Sequence, residues 1–522
     1  RKYIRSIIDV KMQLNVSQDQ SCCSCCLPQH KCVSYNLKSC NTKYFKIASN
    51  QENGQYLVAD EYLQAGIVLA TDSPLVVGPG AWSNLICLGC NDVIDKHAVQ
   101  SCPRCHWPMC SESCTNNSVH LPECEILAQD EEHQTAPENY EPSPLYDLIM
   151  VIRCLLLRSQ NPNIWNMIIS MVSHVEARME THETQQSATV RFISNYLMKD
   201  FDMKTVNHIR GVILTNSIGI QSANGGRLRA IYPTVRLLNN NCIPNIQLAP
   251  KRDLSIELRS AVDIEPNTPL CISYTGTLAP LWERCKILNN NYFFSCQCNR
   301  CEDLTECGTY FSTHKCNECK EKYLEPNIWL GEVKWQCIRC KNESTLSDIE
   351  LKMNQWLGRL EFIDMFGVPP SPRRIENIMR KVEASFHKNH YVWLMVAQVA
   401  VRVLVECRTN LLGCRLRCEL WKQLVNIFNI FERGHTRRRA AGLVELGLAY
   451  FDLAQLEIKE DSAYMPHVQN MVNQSLSHLE EGLQILSIEL QDSPMEGIKR
   501  EAKAGRSQVL KLSEKIQEKL EN

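Results

Sequence analysis

The chain has 522 residues, of which 44% are hydrophobic and 22% charged, and its formal net charge is −2. This length predicts several domains with sizeable cores, while the near-neutral charge does not favour direct binding to nucleic acids. The most apolar helical stretch, residues 148–157, contains Arg153 and is shorter than the roughly 20 residues that cross a bilayer, so no membrane span is predicted. The unusual feature is the number of cysteines, 28, and the way they are spaced.

Residues 1–44 form a cysteine-rich start. Its potential metal ligands are His30 and the cysteines Cys22, Cys23, Cys25, Cys26, Cys32 and Cys40. The crowded run at 22–26 fits no zinc-finger spacing well. We interpret this segment as a tail or a degenerate finger, with a working finger as the alternative.

Residues 45–81 show the pattern of short strands. The apolar runs lie at residues 44–47, 56–59, 67–70 and 75–77. Asn53-Gly54 and Ala65-Gly66 mark turns between them, and this alternation is typical of strands joined by tight turns. The sequence predicts a small antiparallel unit here.

Residues 82–128 contain closely spaced pairs of metal-binding side chains. The pairs are Cys87 and Cys90, Cys102 and Cys105, Cys110 and Cys114, and His120 and Cys124. Zinc prefers thiolate and imidazole ligands in closed four-coordinate sites, so these eight ligands predict two zinc ions. We expect interleaved sites, in which the first pair joins the third and the second joins the fourth. A disulfide cluster is the alternative, but residues 1–14 lack the apolar core of a secretory signal.

Residues 129–210 begin with a polar, proline-containing stretch at 131–143, which predicts a surface linker. From Pro144 onward, apolar residues such as Leu145, Leu148 and Ile152 recur at spacings of three and four. This periodicity is typical of amphipathic helices. We predict a helical segment from Pro144 to about Arg210.

Residues 211–280 return to strand patterns. Predicted strands lie at residues 213–218, 228–232, 256–261 and 270–274. The Asn224-Gly225-Gly226 turn between the first two is a strong hairpin signal. Between the second and third lies the segment Asn239-Asn240-Asn241-Cys242-Ile243-Pro244-Asn245.

Two further cysteine groups follow. Residues 281–304 contain Cys296, Cys298 and Cys301, which supply three ligands and need a fourth from elsewhere; Cys307 is the local candidate. Residues 305–345 contain a second group, whose spacing is a strong signal for a closed zinc ribbon. Its members are Cys316, Cys319, Cys337 and Cys340.

Residues 346–522 have the apolar periodicity of successive helices. A basic cluster, Arg433–Arg439, interrupts them. We interpret this cluster as a solvated turn, with binding of acidic partners as the alternative.

Taken in this order, the motifs resemble the SET-and-MYND (Smyd) family. The pairs in residues 87–124 match the spacing of its MYND finger, residues 239–245 resemble its Asn-His-Ser-Cys-x-Pro-Asn motif, and residues 272–274 match its Ile-Ser-Tyr motif. The ribbon and residues 304–310 look most like the arthropod-type SmydA group of that family.

The resemblance implies the fold class α+β. A β-rich SET core, in residues 45–81 and 211–280, is interrupted by a double-zinc MYND finger and a helical insert. A post-SET zinc site, a zinc ribbon and an all-helical, tetratricopeptide-like C-terminal domain follow, with a plain helical bundle as the alternative for that domain. In the family the motif cysteine, here Cys242, completes the post-SET site, which gives about four zinc ions per chain.

The resemblance also implies a protein-lysine N-methyltransferase that uses S-adenosylmethionine. Tyr274 takes the position of the catalytic tyrosine, and Tyr232 and Tyr292 are candidates for channel walls. The cofactor-binding positions are Gly54, Gln55, Asn216, Asn239, Asn240, Tyr292 and Phe294.

Two places depart from the family pattern. Tyr56 replaces the second glycine of a Gly-x-Gly turn, and Asn240 and Asn241 replace histidine and serine. Glycine allows a close backbone approach that tyrosine does not, and asparagine lacks the shape of imidazole. Two hypotheses stay open: a methyltransferase of histone or non-histone proteins, and a catalytically weakened zinc-finger adaptor or transcriptional regulator that binds protein partners.

The partners implied by the resemblance are a protein substrate with a target lysine and proline-rich peptides bound by the MYND finger. We expect a monomer that binds neither membranes nor nucleic acids. Free thiolates that hold zinc require a reducing compartment, so the protein is expected in the cytoplasm and the nucleus.

Overall fold

The computed structural model describes residues 43–51, 54–81, 83–95, 97, 99–129, 145–180, 188–316, 318–319, 323–329, 332–366, 371–459, 465–489, 493 and 495–521. The cysteines of residues 1–42 lie outside the described residues, as does the linker predicted at 131–143. Their predicted roles stay predictions.

The N-terminal half alternates short strands with helices. Its elements are β1 (Phe45–Asn50), β2 (Gly54–Ala59), β3 (Val68–Asp72), β4 (Val76–Pro79), β5 (Gln100–Ser101), β6 (Pro108–Met109), α1 (Glu112–Thr115), α2 (His120–Leu127), α3 (Tyr146–Gln160), α4 (Pro162–Ile169), α5 (Val175–Glu180), α6 (Ala188–Phe192), α7 (Met203–Asn216), β7 (Ser217–Gln221), β8 (Arg227–Ile231), β9 (Asn239–Asn240), β10 (Ile246–Pro250), β11 (Ile256–Ser260) and β12 (Cys271–Ile272).

The C-terminal half is mostly helical. Its elements are α8 (Leu281–Ile287), α9 (Asn299–Glu302), β13 (His314–Lys315), β14 (Tyr323–Trp329), β15 (Glu332–Cys337), β16 (Glu343–Thr345), α10 (Leu346–Phe366), α11 (Pro372–Ser385), α12 (Tyr391–Leu404), α13 (Leu411–Phe431), α14 (Arg437–Lys459), α15 (Met465–Leu486) and α16 (Glu496–Glu521). The predicted α+β class is confirmed by this mixture. No helix of the described part combines the length and apolar character that a membrane span requires.

The strands before the ribbon form several small sheets rather than one large one. Strand β3 pairs with β11 of the order β10-β11-β3, and β4 pairs with β8 of the order β4-β8-β7. Residues before the finger therefore pair with residues that follow the helical insert. Strands β9 and β12 pair in parallel, with Cys271 opposite Asn239 and Ile272 opposite Asn240. This pairing brings the two predicted SET motifs together.

The strand predicted at residues 213–218 begins later than predicted. Residues 213–216 form the last turn of α7, and the strand begins only at Ser217. The side chain of Asp202 caps the helix by accepting a hydrogen bond from the backbone of Thr205, and the buried residues Val206, Ile209 and Ile213 follow helical spacing. The apolar run at 212–214 fits a strand or a buried helix equally well, so periodicity alone could not separate them.

Two hydrophobic cores hold the described residues together. One joins the small sheets, the finger and the helices α3, α4, α6 and α7, and the other joins the ribbon to the C-terminal helices. Close helix packing in the second core depends on small residues: a side chain at Gly447 would meet Leu479 of α15 at 2.7 Å. The predicted helical C-terminal region is confirmed.

Candidate functional site

The finger brings its eight predicted ligands into two separate groups. Cys87, Cys90, Cys110 and Cys114 form the first; Cys102, Cys105, His120 and Cys124 form the second. Within each group all ligand atoms lie within 4.8 Å of one another, which fits a tetrahedral zinc ion. The pairs interleave in the predicted manner. Each group closes a loop that contains part of the other, so the two groups brace each other.

A buried arginine ties the finger to the rest of the N-terminal core. Arg153 of α3 donates to both carboxylate oxygens of Glu123, at 2.6 and 2.8 Å, and to the backbone oxygens of Val77 and Leu88, at 2.7 Å each. Glu123 in turn lies 3.4 Å from Nδ1 of His120. This contact leaves Nε2 of His120 for the metal group and orients the ring. In the sequence Arg153 only marked a break in an apolar run.

The post-SET group is completed by a distant cysteine. Cys242 lies with Cys296, Cys298 and Cys301, and their sulfur atoms lie within 4.8 Å of one another. Cys307, the local alternative, is exposed and is not part of this group. The ribbon ligands Cys316, Cys319, Cys337 and Cys340 form a fourth group of the same kind. All four sets of ligands fit closed zinc sites.

Tyr274 is held at both ends by the strand that contains the Asn-rich motif. Its backbone N–H donates to Oδ1 of Asn240 at 2.9 Å, and its hydroxyl donates to the carbonyl oxygen of Leu238 at 2.7 Å. Its ring lies against that of Tyr292, with the centroids 4.8 Å apart. Burial raises the pKa of both phenols, so both stay neutral near pH 7.

Asn240 also contacts the post-SET group. Its Nδ2 lies 3.5 Å from Sγ of Cys296 and donates to it, while its Oδ1 accepts the bond from Tyr274. The amide therefore bridges Tyr274 and a zinc ligand with its two ends. Its neighbour Asn239 is half-buried in the β9–β12 pair.

The contacts of the other candidate cofactor residues are with groups other than Tyr274. Gly54 has a left-handed φ of +62°, with nothing within 4 Å of the place a side chain would take, and Gln55 is exposed. The amide nitrogen of Asn216 donates to the backbone oxygens of Val172 and Val212. Tyr232, a candidate channel wall, is 1% exposed, and its hydroxyl donates to the carbonyl of Leu254 at 2.6 Å. Tyr232 is thus a core residue.

No sequence pattern indicated a role for Arg178 of α5. Its guanidinium donates to the hydroxyl of Thr215 at 3.0 Å and to the carbonyl of Asn291, and it lies 5.0 Å from the ring centroid of Phe293. It joins the helical insert to the segments that contain Asn216 and Phe294.

Exposed apolar side chains mark the same locality. Val172 is 58%, Met179 44% and Phe294 38% exposed. The backbone of Val172 accepts a hydrogen bond from Asn216, and Met179 and Phe294 directly follow Arg178 and Phe293, which contact each other, so the three side chains come from segments that meet. A local sequence pattern could not have indicated these exposed residues, because they lie at three separate positions in the chain.

The sequence was compared with known proteins. No family model matches it. It is 25% identical to the SET domain-containing protein SmydA-8, isoform A, of Drosophila melanogaster over 305 residues, 57% of this chain and 64% of that protein. It is 26% identical to the N-lysine methyltransferase SMYD2-B of Danio rerio over 230 residues, 42% of this chain and 50% of that protein. It is 19% identical to the histone-lysine N-methyltransferase ASHR1 of Arabidopsis thaliana over 436 residues, 79% of this chain and 86% of that protein.

The fold and the site are consistent with a SET-type core that carries one double-zinc MYND finger and further ligand sets that fit zinc. The paired motifs at β9 and β12 and the cysteine that completes the post-SET group are the features that carry this assignment. With these features and these relatives, the chain is similar to proteins of the SET-and-MYND (Smyd) family.

Proposed function

We propose that the protein transfers a methyl group from S-adenosylmethionine to the side-chain amine of a lysine in another protein. The observation that carries this proposal is the pair of hydrogen bonds that fixes Tyr274. Its backbone N–H and its hydroxyl both donate to residues 238–240. The relatives SMYD2-B and ASHR1 are named as lysine methyltransferases, which supports the same class of reaction.

The direction of the Tyr274 hydroxyl determines what it can do. It gives its only proton to Leu238, so the lone pairs of its oxygen are available as acceptors. A neutral lysine amine can donate an N–H to this oxygen, which leaves the nitrogen lone pair free to attack. The role of Tyr274 is therefore alignment and electrostatic stabilisation.

The substrate amine must lose its proton before it reacts. The unperturbed pKa of lysine is about 10.4, so most of the amine is charged near neutral pH. The adjoining rings of Tyr274 and Tyr292 offer a largely desolvated surface, and desolvation disfavours the ammonium form. The ring pair thus promotes the neutral nucleophile.

The cofactor would be held by the exposed apolar surface around Phe294 and by the positions near Gly54. S-adenosylmethionine, when bound, supplies the methyl group on a positively charged sulfur. The zinc ions, about four per chain, would be structural, because each closed ligand set leaves no open coordination position.

A second candidate function is that of a catalytically weakened adaptor. Both ends of the Asn240 amide are engaged within the protein, so this side chain has little to offer a cofactor. Tyr56 follows the β1–β2 turn where the family has glycine, and it lies opposite Ala48. Such an adaptor would hold protein partners through its finger and its C-terminal helices.

Protein substrates, proline-rich peptide ligands of the finger and a monomeric state belong to the same proposal. So does residence in the cytoplasm and nucleus, because thiolates that hold zinc require a reducing compartment.

Calorimetric titration of the full chain with S-adenosylmethionine distinguishes the two functions. The native chain and the double variant Tyr56→Gly with Asn240→His are compared. Binding by the native chain supports the methyltransferase, and it should be followed by methyl transfer to lysine-containing proteins from a labelled donor. Binding by the double variant alone supports the adaptor.

A further inference from the structure

Arg300 occupies a buried junction between the post-SET group and the C-terminal helices. It lies in α9 between Cys298 and Cys301 and is 1% exposed. Its Nη1 donates to the carbonyl oxygens of Cys242, at 3.3 Å, and Thr277. Its Nη2 lies 3.5 Å from the carbonyl oxygen of Ala279 and donates to it. One planar group thus fixes a backbone segment that precedes Tyr274 in the chain and another that follows it.

The other face of Arg300 contacts the C-terminal helical region. Its guanidinium lies 3.6 Å from the ring centroid of Phe431, the last residue of α13, which is a close cation–π contact. Next to it, the Thr277 hydroxyl donates to the carboxylate of Glu432. The end of α13 therefore contacts both Arg300 and the segment that follows Tyr274.

Two buried arginines at this junction lie against a single buried carboxylate. Arg284 and Arg300 share one carboxylate, that of Glu306, at 2.8 and 2.9 Å, and all three side chains are fully buried. Two cations and one anion leave an excess of positive charge. Arg284 also donates to Sγ of Cys301 at 3.6 Å. A zinc ion held by four thiolates is negatively charged, so it would supply the missing balance.

The loop that provides Glu306 is itself strained. Glu306 and Cys307 have φ angles of +47° and +62°, in the left-handed region that side chains other than glycine rarely adopt. Such strain persists only where the surroundings over-determine the conformation. Here the bonds from Arg284, Arg300 and Ser312 to the Glu306 carboxylate do so.

From these contacts we propose that Arg300 is a positioning residue through which the C-terminal helical region sets the geometry of Tyr274. Arg300 holds the carbonyl of Cys242, two residues after Asn240, and Asn240 holds the backbone of Tyr274 and contacts Cys296. The inference rests on the proposed methyl transfer for its catalytic consequence. Its structural part concerns only residues 238–245 and α13, and it stands separately.

The test uses Arg300→Lys and Phe431→Leu in the full chain, alone and together. Lysine keeps the charge but cannot reproduce the planar fork on three carbonyls, and leucine keeps an apolar contact but removes the ring. Arg417→Lys is the matched control. Arg417 is also 1% exposed and pairs with Asp452 and Glu445, but it lies within the helical region.

Hydrogen exchange of residues 238–245 is the readout that does not depend on activity. Arg300→Lys and Phe431→Leu should each accelerate this exchange roughly three- to tenfold. The exchange rate of the double variant should be close to that of either single variant, because both substitutions interrupt the same series of contacts. Arg417→Lys should leave this segment unchanged. Methyl transfer should show a lower kcat with little change in the KM for the donor in the first two variants.

The outcomes separate the inference from the proposed function. The positioning role is overturned if hydrogen exchange of residues 238–245 is unchanged in Arg300→Lys. It is also overturned if Arg417→Lys accelerates this exchange equally. If Arg300→Lys does not fold, Phe431→Leu decides in the same way. If no variant and no native chain transfers methyl groups, the proposed function fails, while the exchange data still decide whether α13 controls the Tyr274 segment.

Discussion

The hydroxyl of Tyr274 donates a hydrogen bond to the carbonyl oxygen of Leu238 at 2.7 Å. A phenol has one proton, so this bond fixes the rotation of the hydroxyl and points its lone pairs away from Leu238. Burial raises the pKa of the phenol, and the group therefore acts as a neutral acceptor. The proposed chemistry depends on this direction more than on the identity of the ring.

Tyr274→Phe should abolish most methyl transfer while changing stability little. Loss of one oriented group at a reacting centre lowers kcat by roughly 100-fold or more, whereas loss of one hydrogen bond costs about 1 kcal/mol in unfolding free energy. Tyr232→Phe is the control, because its hydroxyl also donates to a backbone carbonyl, that of Leu254, but in the core. Equal losses of activity in both variants would contradict the assignment of Tyr274.

Cys242→Ser should remove one zinc ion from the chain. The three cysteines at 296–301 cannot close a tetrahedral site alone, and serine is a much poorer zinc ligand than thiolate. Elemental analysis should fall from about four ions to about three. Cys307→Ser, at the exposed cysteine outside the group, should leave the zinc content unchanged. The reverse result would restore the local alternative.

Motifs with fixed spacing were predicted well from the sequence. The groups at 87–124 and 316–340 need only ligand type and separation, because zinc geometry dictates both. Cys242 joins residues more than fifty positions away, and it could be named only through the family resemblance.

Contacts that depend on tertiary packing could not be predicted from the sequence. The basic cluster Arg433–Arg439 was interpreted as a solvated turn, but Arg437 pairs with Glu489, and Arg439 pairs with Glu481. The roles of Arg153, Arg178 and Arg300 likewise depend on partners that are remote in the chain. An arginine in a sequence looks the same whether it is solvated or buried against carbonyls.

Arg153→Met should destabilise the N-terminal core strongly. It leaves Glu123, which is 0% exposed, as a buried carboxylate without its main partner, and such a loss costs about 3–5 kcal/mol. Denaturant unfolding followed by intrinsic fluorescence measures the change. Arg380→Met is the control, because the exposed Arg380 and its half-buried partner Glu376 form a surface pair worth less than about 1 kcal/mol. A loss no larger than that of the control would show that Arg153 does not anchor the finger.

Stability should fall in acid through Glu489, which links β11 to the loop after α15. Burial alone would raise the pKa of this carboxyl, but the bonds from Arg437 and the charge of Arg259 hold it below its usual value. A depressed folded-state pKa contributes stability that is complete above the unfolded-state pKa of about 4.3 and is lost as the pH falls through the folded value. Glu489→Gln should therefore cost about 1.5–3 kcal/mol at pH 7. This cost should shrink as the pH falls below about 4.3. Glu480→Gln, which breaks the exposed pair with Arg506, should lack this pH dependence, and a parallel pH profile in both variants would refute the role of Glu489.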